Sequence, residues 1–156
     1  MIVQEMINQI RDQLHDITEE YTDEVLIKYI NTAIKSASDV LINVNSSLCL
    51  IEKELADGDD RPFNFRKFAG VYPIRFTNGK VEIVGATSPY KARYFVGKDN
   101  IKAVGDELPF TDETVLQYIE QYASILAFNR NEYNVNQDSS ILDNLKTGFI
   151  ENVGVE

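Results

Sequence analysis

The side chains that most often carry out enzymatic chemistry are scarce in this chain of 156 residues. The single histidine, His15, stands among acidic residues at the end of a predicted helix, and no serine, cysteine or second titratable group is placed beside it by spacing. A general base must lie within hydrogen-bond reach of the proton that it removes. The pattern therefore predicts that His15 is an exposed residue near a helix C-terminus, not a catalytic base.

The single cysteine and the densest acidic run also indicate structural roles. Cys49 stands between Leu48 and Leu50, which predicts a small buried apolar side chain, and a lone cysteine excludes an internal disulfide. Residues 57–60 contain three aspartates but lack the alternating ligands and terminal glutamate of a calcium-binding loop, so we predict a solvated turn. Because a glycine-rich phosphate loop and a Gly-Xaa-Ser-Xaa-Gly elbow are also missing from the sequence, we predict no metal, no cofactor and no enzymatic activity.

Length and composition predict one soluble globular domain that spans residues 1–156. Hydrophobic residues make up 44% of the chain and charged residues 26%, which is ordinary for a protein with an apolar core. The formal net charge of −10 argues against general nucleic-acid binding, because phosphate contacts need a basic face. The N-terminus lacks a signal-peptide pattern, and no apolar run approaches the roughly 20 residues that span a bilayer, so we expect synthesis in a cytosol.

Apolar side chains recur with helical spacing on both sides of the middle of the chain. Thr22 or Asp23 can cap the second helix, and Thr111 or Asp112 can cap the third. Asn31 lies at the edge of the apolar arc of the second helix, and we expect it to hydrogen-bond locally or to water. The predicted helices cover residues 2–14, 23–41, 115–126 and a short stretch after about residue 138, followed by a loose tail over 151–156.

The residues between the helical parts predict a small antiparallel β insert over about 47–105. Asn78 and Gly79 separate two apolar stretches, and both residues accept the positive φ of a type I′ hairpin turn. Residues 48–55 favour a strand, although their glutamate and lysine residues would equally continue the second helix after a break. Further strands are expected at 92–96 and, as a candidate, at 101–104.

Three phenylalanines, Phe63, Phe65 and Phe68, make the segment before the hairpin too aromatic for a free linker. We expect them to anchor this segment to the core. Together these patterns predict an α+β fold, built mainly as an α-helical bundle of about four helices with a small antiparallel β insert at about 45–105. The helical frame of this single domain covers residues 1–43 and 108–150.

Charge is sorted by position along the chain. Between Arg61 and Lys102 lie nine of the 15 basic residues and two of the 25 acidic residues, which gives this stretch a charge of +7. The remainder holds six basic and 23 acidic residues, which gives −17. Such asymmetry concerns binding partners rather than the fold. A basic β insert within an acidic helical frame therefore predicts a protein whose function is binding.

Several short motifs follow one another in an order typical of a known group of proteins. A short acidic cap precedes the pattern Leu-Xaa-Xaa-Tyr-Ile-Asn-Xaa-Ala, a segment with proline and phenylalanine leads into the β insert, and a helix rich in Tyr and Ala follows it. The motifs lie at residues 3–14, 21–34, 61–68, 93–95, 108–110 and 129–133. In this order the chain resembles the head-to-tail adaptor (connector) proteins of tailed bacteriophages. Asn64 departs from their pattern, since those proteins usually carry an acidic residue there.

The resemblance implies a structural, non-enzymatic protein of the virion. It implies a homo-oligomeric ring, a dodecamer by family expectation, that lies beneath the portal, joins the capsid to the tail and surrounds the DNA channel. The implied partners are the portal protein and a downstream tail or neck protein, and DNA is expected to pass through without specific binding. The implied location is the neck of the virion, after synthesis in the host cytoplasm.

The charge pattern and the resemblance together predict which residues meet other subunits. A closed ring joins two different surfaces of the subunit at every contact, and a basic insert against an acidic helical face would supply complementary contacts. Phe128 is a large aromatic residue on the polar side of the third helix, which indicates an intermolecular contact unless the helix ends before it. The residues predicted at subunit or portal contacts are Arg66, Lys67, Arg75, Arg93, Lys98 and Phe128.

The sequence is also compatible with other interpretations. The insert could face the channel and touch DNA phosphates, which would give salt-dependent binding of duplex DNA. The chain could be a small acidic cytosolic regulatory or interaction protein, or a tail-completion or stopper protein of the same neck. An enzyme that uses carboxylates alone would need a pocket with at least two convergent acids of perturbed pKa.

Overall fold

The computed structural model describes residues 1–15, 20–129 and 135–154, which fold as a mixed α+β protein. Within these residues there are four α-helices and five strands, with 48% of residues in helices and 20% in strands. The helices are α1 (Val3–Leu14), α2 (Asp23–Asn43), α3 (Glu113–Phe128) and α4 (Val135–Val153), and a 3₁₀ turn covers Ser47–Cys49. The strands are β1 (Leu50–Leu55), β2 (Phe65–Phe68), β3 (Ile74–Thr77), β4 (Lys80–Ile83) and β5 (Tyr90–Val96).

The four helices bury one shared apolar cluster. In α2, Ile30 and Ile34 recur at a spacing of four residues on one face and are at most 1% exposed. Ile119 of α3 is fully buried against the same cluster, and burial of each such side chain contributes about 1.5–3 kcal/mol relative to exposure. Phe149 of α4 stacks on Tyr118 of α3 with 4.1 Å between ring centroids, which joins α4 to the other helices.

Side-chain caps fix the starts of α2 and α3 at residues that the sequence indicates. The Thr22 hydroxyl accepts a hydrogen bond from the Val25 N–H at 3.3 Å, and the Asp112 carboxylate accepts one from the Val115 N–H at 3.2 Å. Each cap satisfies an N–H group that has no partner within its own helix. The structure thus selects Thr22 and Asp112 from the two pairs of predicted candidates.

The start of α1 is fixed by the chain segment that precedes α3. The N–H groups of Val3 and Gln4 donate to the carbonyls of Asp106 and Val104, each at 2.9 Å. These bonds satisfy N–H groups that a helix leaves free at its first turn. The first turn of α1 is therefore held against the segment that precedes α3.

Residues 101–104 form a loop, and the candidate strand predicted there is wrong. The Ile101 N–H donates to Asn31 Oδ1 at 2.8 Å, and the Ile101 carbonyl accepts from Asn31 Nδ2 at 3.0 Å. One side chain thereby satisfies both backbone groups, which would otherwise need a neighbouring strand. The expectation that Asn31 bonds locally or to water is also wrong, because its partner lies 70 positions away.

Strand β5 is central in a three-stranded antiparallel sheet that has β1 and β2 at its edges. The register with β1 runs from Leu50 opposite Phe95 to Leu55 opposite Tyr90. The 3₁₀ turn before Leu50 separates β1 from α2, so the helical alternative for residues 48–55 does not hold. This pairing brings the acidic residues of β1 next to the basic residues of β5.

Strands β3 and β4 form the hairpin predicted around Asn78 and Gly79. Thr77 pairs with Lys80 across the turn, and the φ values of Asn78 and Gly79 are +54° and +76°. Positive φ at both central residues is what a type I′ turn requires. The hairpin prediction is confirmed.

The two sheets enclose a second apolar cluster, distinct from that of the helices. The ring of Phe65 lies 4.8 Å from that of Phe76 and 4.9 Å from that of Phe68, in edge-on arrangements that favour attraction between the rings. Phe63 takes no part and is 78% exposed, so the expectation that all three phenylalanines of this segment are anchors is wrong for Phe63. The buried members of the cluster are Leu55, Val81, Ile83, Ala92 and Tyr94.

The prediction of a mainly α-helical bundle with a small β insert is therefore wrong. The five strands make two antiparallel sheets, and the fold is mixed α+β. The physical reason is that the aromatic residues between 65 and 76 pack on one another and on the sheet, and so form a core of their own. The sequence predicts Phe65 and Phe68 as anchors to a core, but it does not predict that they belong to a separate core between two sheets.

Candidate interaction surface

A cleft with four basic residues opens where the three-stranded sheet meets α2. Its volume is about 480 Å³, and it is lined by α2, by the segment before β2 and by the loop after β5. We call it the basic cleft. Its charged residues are Lys35, Arg66, Lys98, Lys102 and Asp99.

Phe63 stands at the edge of the basic cleft and exposes 78% of its surface. On its other side lies a second cleft of about 360 Å³, whose lining includes Ile51, Pro62 and Val96. The phenyl ring thus forms a ridge between two depressions, which we call the Phe63 ridge. A large apolar side chain exposed beside grooves is typical of an interaction surface.

A tight turn fixes the backbone on which the Phe63 ridge stands. The Phe65 N–H donates to the Pro62 carbonyl at 3.1 Å, and Asn64 adopts a φ of +59°, a left-handed conformation that asparagine tolerates. Asn64 is bonded to the loop at 97–99 through its side chain and through its carbonyl, each at 3.0 Å. Because the turn is held from both sides, binding through the ring needs little ordering of the backbone.

A polar stripe on α2, which was not predicted from the sequence, positions the basic cleft. Ser38 Oγ accepts a hydrogen bond from the Lys98 N–H at 3.3 Å, and the Asp39 carboxylate forms an ion pair with Arg66. The available signal was the helical spacing of polar residues beside the apolar arc. The stripe consists of Asn31, Lys35, Ser38 and Asp39.

Ion pairs neutralise part of the basic stretch between residues 61 and 102. The stretch 61–102 has a charge of +7 in the sequence. The whole predicted insert, 47–105, holds ten basic and seven acidic residues and has a charge of +3. Four of the nine basic residues in the stretch pair with carboxylates among the described residues. These pairs are Arg66–Asp39, Arg75–Glu82, Lys80–Asp60 and Lys91–Glu52.

The structure brings two of the six predicted interface residues together. Arg66 and Lys98 both line the basic cleft. Arg66 is also paired with Asp39, and the Lys98 ammonium lies 5.5 Å from the ring centroid of Phe110. Their role in contacts between subunits stays a prediction.

Three further predicted residues do not line the basic cleft. The Lys67 ammonium donates to Asn45 Oδ1 at 2.8 Å, and Arg93 is exposed on β5 opposite Glu52 of β1. Phe128 is the last residue of α3 and is 59% exposed. The helix therefore reaches Phe128, and its exposure is compatible with the predicted intermolecular contact.

The sixth predicted residue, Arg75, is bound within its own hairpin. Its Nε and Nη2 donate to the two carboxylate oxygens of Glu82 at 2.9 and 2.8 Å, and the Thr77 hydroxyl donates to the same carboxylate at 2.7 Å. The hydrogen bonds from Arg75, and then the one from Thr77, lower the pKa of Glu82 from 4.5 to about 2. Arg75 is therefore less free to bind another subunit than the sequence suggested.

Replacing Arg75 with glutamine is expected to return the pKa of Glu82 most of the way from about 2 towards 4.5. The native pKa lies below the unfolded value, so the pair stabilises the hairpin above about pH 4.5 and loses this contribution as the pH falls towards 2. The pKa can be read from an NMR titration of the Glu82 carboxyl carbon. Arg93→Gln serves as the control and should leave it unchanged. A wild-type midpoint near 4.5 would contradict this expectation.

The histidine and the cysteine have the surroundings that the sequence predicts. His15 ends α1 with a φ of +53° and is exposed. Cys49 is 1% exposed, and burial raises the pKa of its thiol, an effect that Lys98 and Arg66 partly oppose. A buried thiol with a raised pKa is a weak nucleophile.

The aspartates of residues 57–60 are each bound to the chain itself. Their carboxylates accept from the Ile83 N–H at 2.6 Å, from the Ala56 N–H at 2.9 Å and from the Lys80 ammonium. These bonds connect the turn after β1 to the hairpin. Across the described ranges 1–15, 20–129 and 135–154, no group of three or more His, Cys, Asp or Glu side chains is placed to hold a metal ion.

None of the helices in the described part of the chain has the length and apolar character needed to cross a membrane. Neither a protein-family model nor a curated protein matches the amino-acid sequence.

Proposed function

We propose that this protein is a structural subunit of the neck of a tailed bacteriophage. It assembles into a ring that connects the portal to the tail at the capsid vertex and surrounds the channel through which the DNA leaves. Its partners are further copies of itself, the portal protein and a downstream tail or neck protein. The protein acts through binding, without a reaction of its own.

The order of the motifs supports this proposal over most of the chain. The acidic cap and the Tyr-Ile-Asn pattern of residues 21–34 lie in the first half of α2 and just before it. The Asn31 of that pattern holds the loop between β5 and α3. This motif residue thus has a structural role in the fold, since one side chain satisfies both backbone groups of Ile101.

The observation that carries the proposal is the Phe63 ridge beside the basic cleft. The chain has a net charge of −10, yet its basic cleft holds four basic residues next to an apolar ring that is 78% exposed. Phe128, on a different element, is a second large apolar side chain that is mostly exposed. Two separate adhesive surfaces on one subunit suit a ring, in which every copy uses one surface on each side.

The test is the assembly state of the purified protein, alone and mixed with its cognate portal protein. We expect sedimentation velocity and native mass spectrometry to show a closed oligomer of one size, and electron microscopy to show a ring with a central channel. Co-sedimentation with the portal alone separates an adaptor from a stopper protein lower in the neck. A protein that stays monomeric in both conditions would overturn the proposal and favour a small regulatory protein.

Binding to duplex DNA tests which way the basic cleft faces. If the cleft lies at contacts between proteins, we expect weak binding to DNA at physiological salt. Strong binding that falls steeply as salt is raised would place the basic residues on the channel wall instead. The number of phosphate contacts would then follow from the slope of the salt dependence.

A further inference from the structure

The Phe63 ridge has the form of a knob, and another part of the chain has the form of its socket. The ring of Phe63 is 78% exposed and stands on a turn that is bonded on both sides. A preorganised aromatic side chain of this kind is typical of the anchor residues that supply most of the binding energy of an interface. The socket must accept one phenyl ring and must lie on a surface of complementary charge.

A groove of about 280 Å³ between α3 and α4 meets the requirement of size. This volume is just under the roughly 300 Å³ at which pockets for small molecules begin, so it suits a single side chain. Its apolar part consists of Tyr118, Leu145 and Phe149, of which Leu145 is partly exposed. The stacked rings of Tyr118 and Phe149 lie beneath it, and amide side chains such as Gln121 form its rim.

Gly148 keeps the groove between α3 and α4 open. It lines the groove in the middle of α4, where a glycine weakens a helix by about 1 kcal/mol relative to alanine. A Cβ atom added at Gly148 would meet no heavy atom within 4 Å. The space above Gly148 is therefore free, and a larger side chain there would fill the groove without displacing its neighbours.

The charges around the knob and the socket are complementary. Lys35, Lys98 and Lys102 line the cleft at whose edge Phe63 stands, together with one acidic residue, Asp99, which accepts a hydrogen bond from Asn64. The residues that line the groove are uncharged, and exposed acidic residues stand next to three of them in the sequence of α3 and α4, whereas one exposed basic residue, Lys146, stands next to a fourth. These acidic residues are Glu113, Asp143 and Glu151. Such an arrangement steers association and fixes the orientation of the partners.

We propose that Phe63 of one copy inserts into the groove between α3 and α4 of a second copy, so that subunits associate head to tail. Each copy carries one knob and one socket, and a contact of this type generates a ring when the rotation between copies closes. This inference rests on the proposed ring function and names the contact that builds the ring. It adds a socket on the helices to the interface residues that the sequence predicts.

The test uses one variant without the knob and one without the socket. Phe63→Ser removes the ring from an exposed position, and Gly148→Leu fills the groove. We expect each variant alone to lose assembly, with the dissociation constant between copies raised roughly 30-fold or more, as for an anchor residue. Circular dichroism and the melting temperature of each variant show whether it is folded.

Mixing the two variants gives the sharpest outcome. The socket of Phe63→Ser is intact and the knob of Gly148→Leu is intact, so one contact can form in the mixture. We expect native mass spectrometry to show a dimer with one copy of each variant and no larger species, because the remaining knob and socket are both disabled. The size of the wild-type assembly distinguishes this contact from an isologous one, which would pair Phe63 and the groove twice in a dimer and stop there.

Two control variants test whether assembly is lost after the removal of any exposed apolar side chain, or after the addition of any larger side chain on α4. Val71→Ser removes another fully exposed apolar side chain of the β part, and Thr147→Leu adds a leucine next to Gly148 on the exposed side of α4. Both variants should assemble as the wild type does. If Gly148→Leu does not fold, Gln121→Trp at the rim of the groove takes its place.

The outcomes separate this inference from the proposed function. If the wild type forms rings and Phe63→Ser also forms rings, the contact between Phe63 and the groove is wrong and the ring proposal stands. The same conclusion follows if the wild type forms rings and the two folded variants stay monomeric when mixed. A wild-type protein that is monomeric at every soluble concentration, alone and with the portal, would overturn both.

Discussion

Replacing Tyr94 with alanine is expected to destabilise the protein by about 3–5 kcal/mol, the range found when large buried aromatic side chains are truncated. Tyr94 is 1% exposed in the cluster between the two sheets. Its ring lies 5.6 Å from that of Phe65 and 6.5 Å from that of Phe68. Removal of the ring leaves a cavity that the rigid sheets cannot close, so the transfer term and the cavity term add.

Urea unfolding followed by circular dichroism measures this effect. With a slope of about 1–3 kcal/mol per molar urea, we expect the midpoint to fall by about 2 M. Tyr94→Phe is the matched control, because it keeps the ring, and no described residue is hydrogen-bonded to the Tyr94 hydroxyl. Its midpoint should stay close to that of the wild type. Equal midpoints for the alanine variant and the wild type would show that the cluster between the sheets contributes little to stability.

Replacing Asn31 with leucine is expected to destabilise the protein by about 2–4 kcal/mol, because both backbone groups of Ile101 lose their partner. An unsatisfied buried polar group costs about 1–3 kcal/mol, and Ile101 is 5% exposed. Leucine has a similar size, so the loss of hydrogen bonds dominates over the loss of volume. The loop after β5 should then detach from α2, and with it one wall of the basic cleft.

Hydrogen exchange at the Ile101 amide gives a readout that a general loss of stability would not reproduce. We expect the exchange protection of the Ile101 amide to fall to the low value of a segment that opens locally, while amides in the middle of α2 remain protected. Thr32→Ala, at the neighbouring exposed position of the same helix, is the control and should change stability by less than about 0.5 kcal/mol. An Ile101 amide that stays protected in the leucine variant would mean that water or another group replaces Asn31.

Some features of this protein follow from short stretches of sequence. The hairpin at Asn78 and Gly79 is one, since the two residues that accept positive φ are adjacent in the chain. The caps at Thr22 and Asp112 are others, because the bonds that they make span three positions. In these cases the atoms that decide the structure lie within a few residues of each other.

The charge pattern shows where this local reasoning fails. The stretch from Arg61 to Lys102 carries +7 in sequence, but β1 lies beside β5 and brings Glu52 to Lys91 at 2.9 Å. Asp39 of α2 pairs with Arg66 in the same way. The charge of a surface depends on residues that the fold brings together, so the folded stretch is less basic than its sequence suggests.

The residues of the candidate site also differ in whether the sequence indicates them. Arg66 and Lys98 could be singled out from the charge pattern, and both line the basic cleft. The Phe63 ridge could not, because Phe63 and Phe65 are equivalent in the sequence pattern. A turn with positive φ at Asn64 points one ring outward and leaves the other inside.

The sequence by itself determined the elements that local spacing controls, namely the apolar faces of the helices, the caps, the hairpin and the buried Cys49. The tertiary structure alone decided that the strands form two sheets with their own core, that Asn31 holds Ile101, and that Phe63 stands exposed beside a cluster of cations. The reason is physical. Helix faces and turns depend on φ, ψ and contacts within a few residues, whereas burial, charge pairing and exposure depend on contacts between residues that are tens of positions apart.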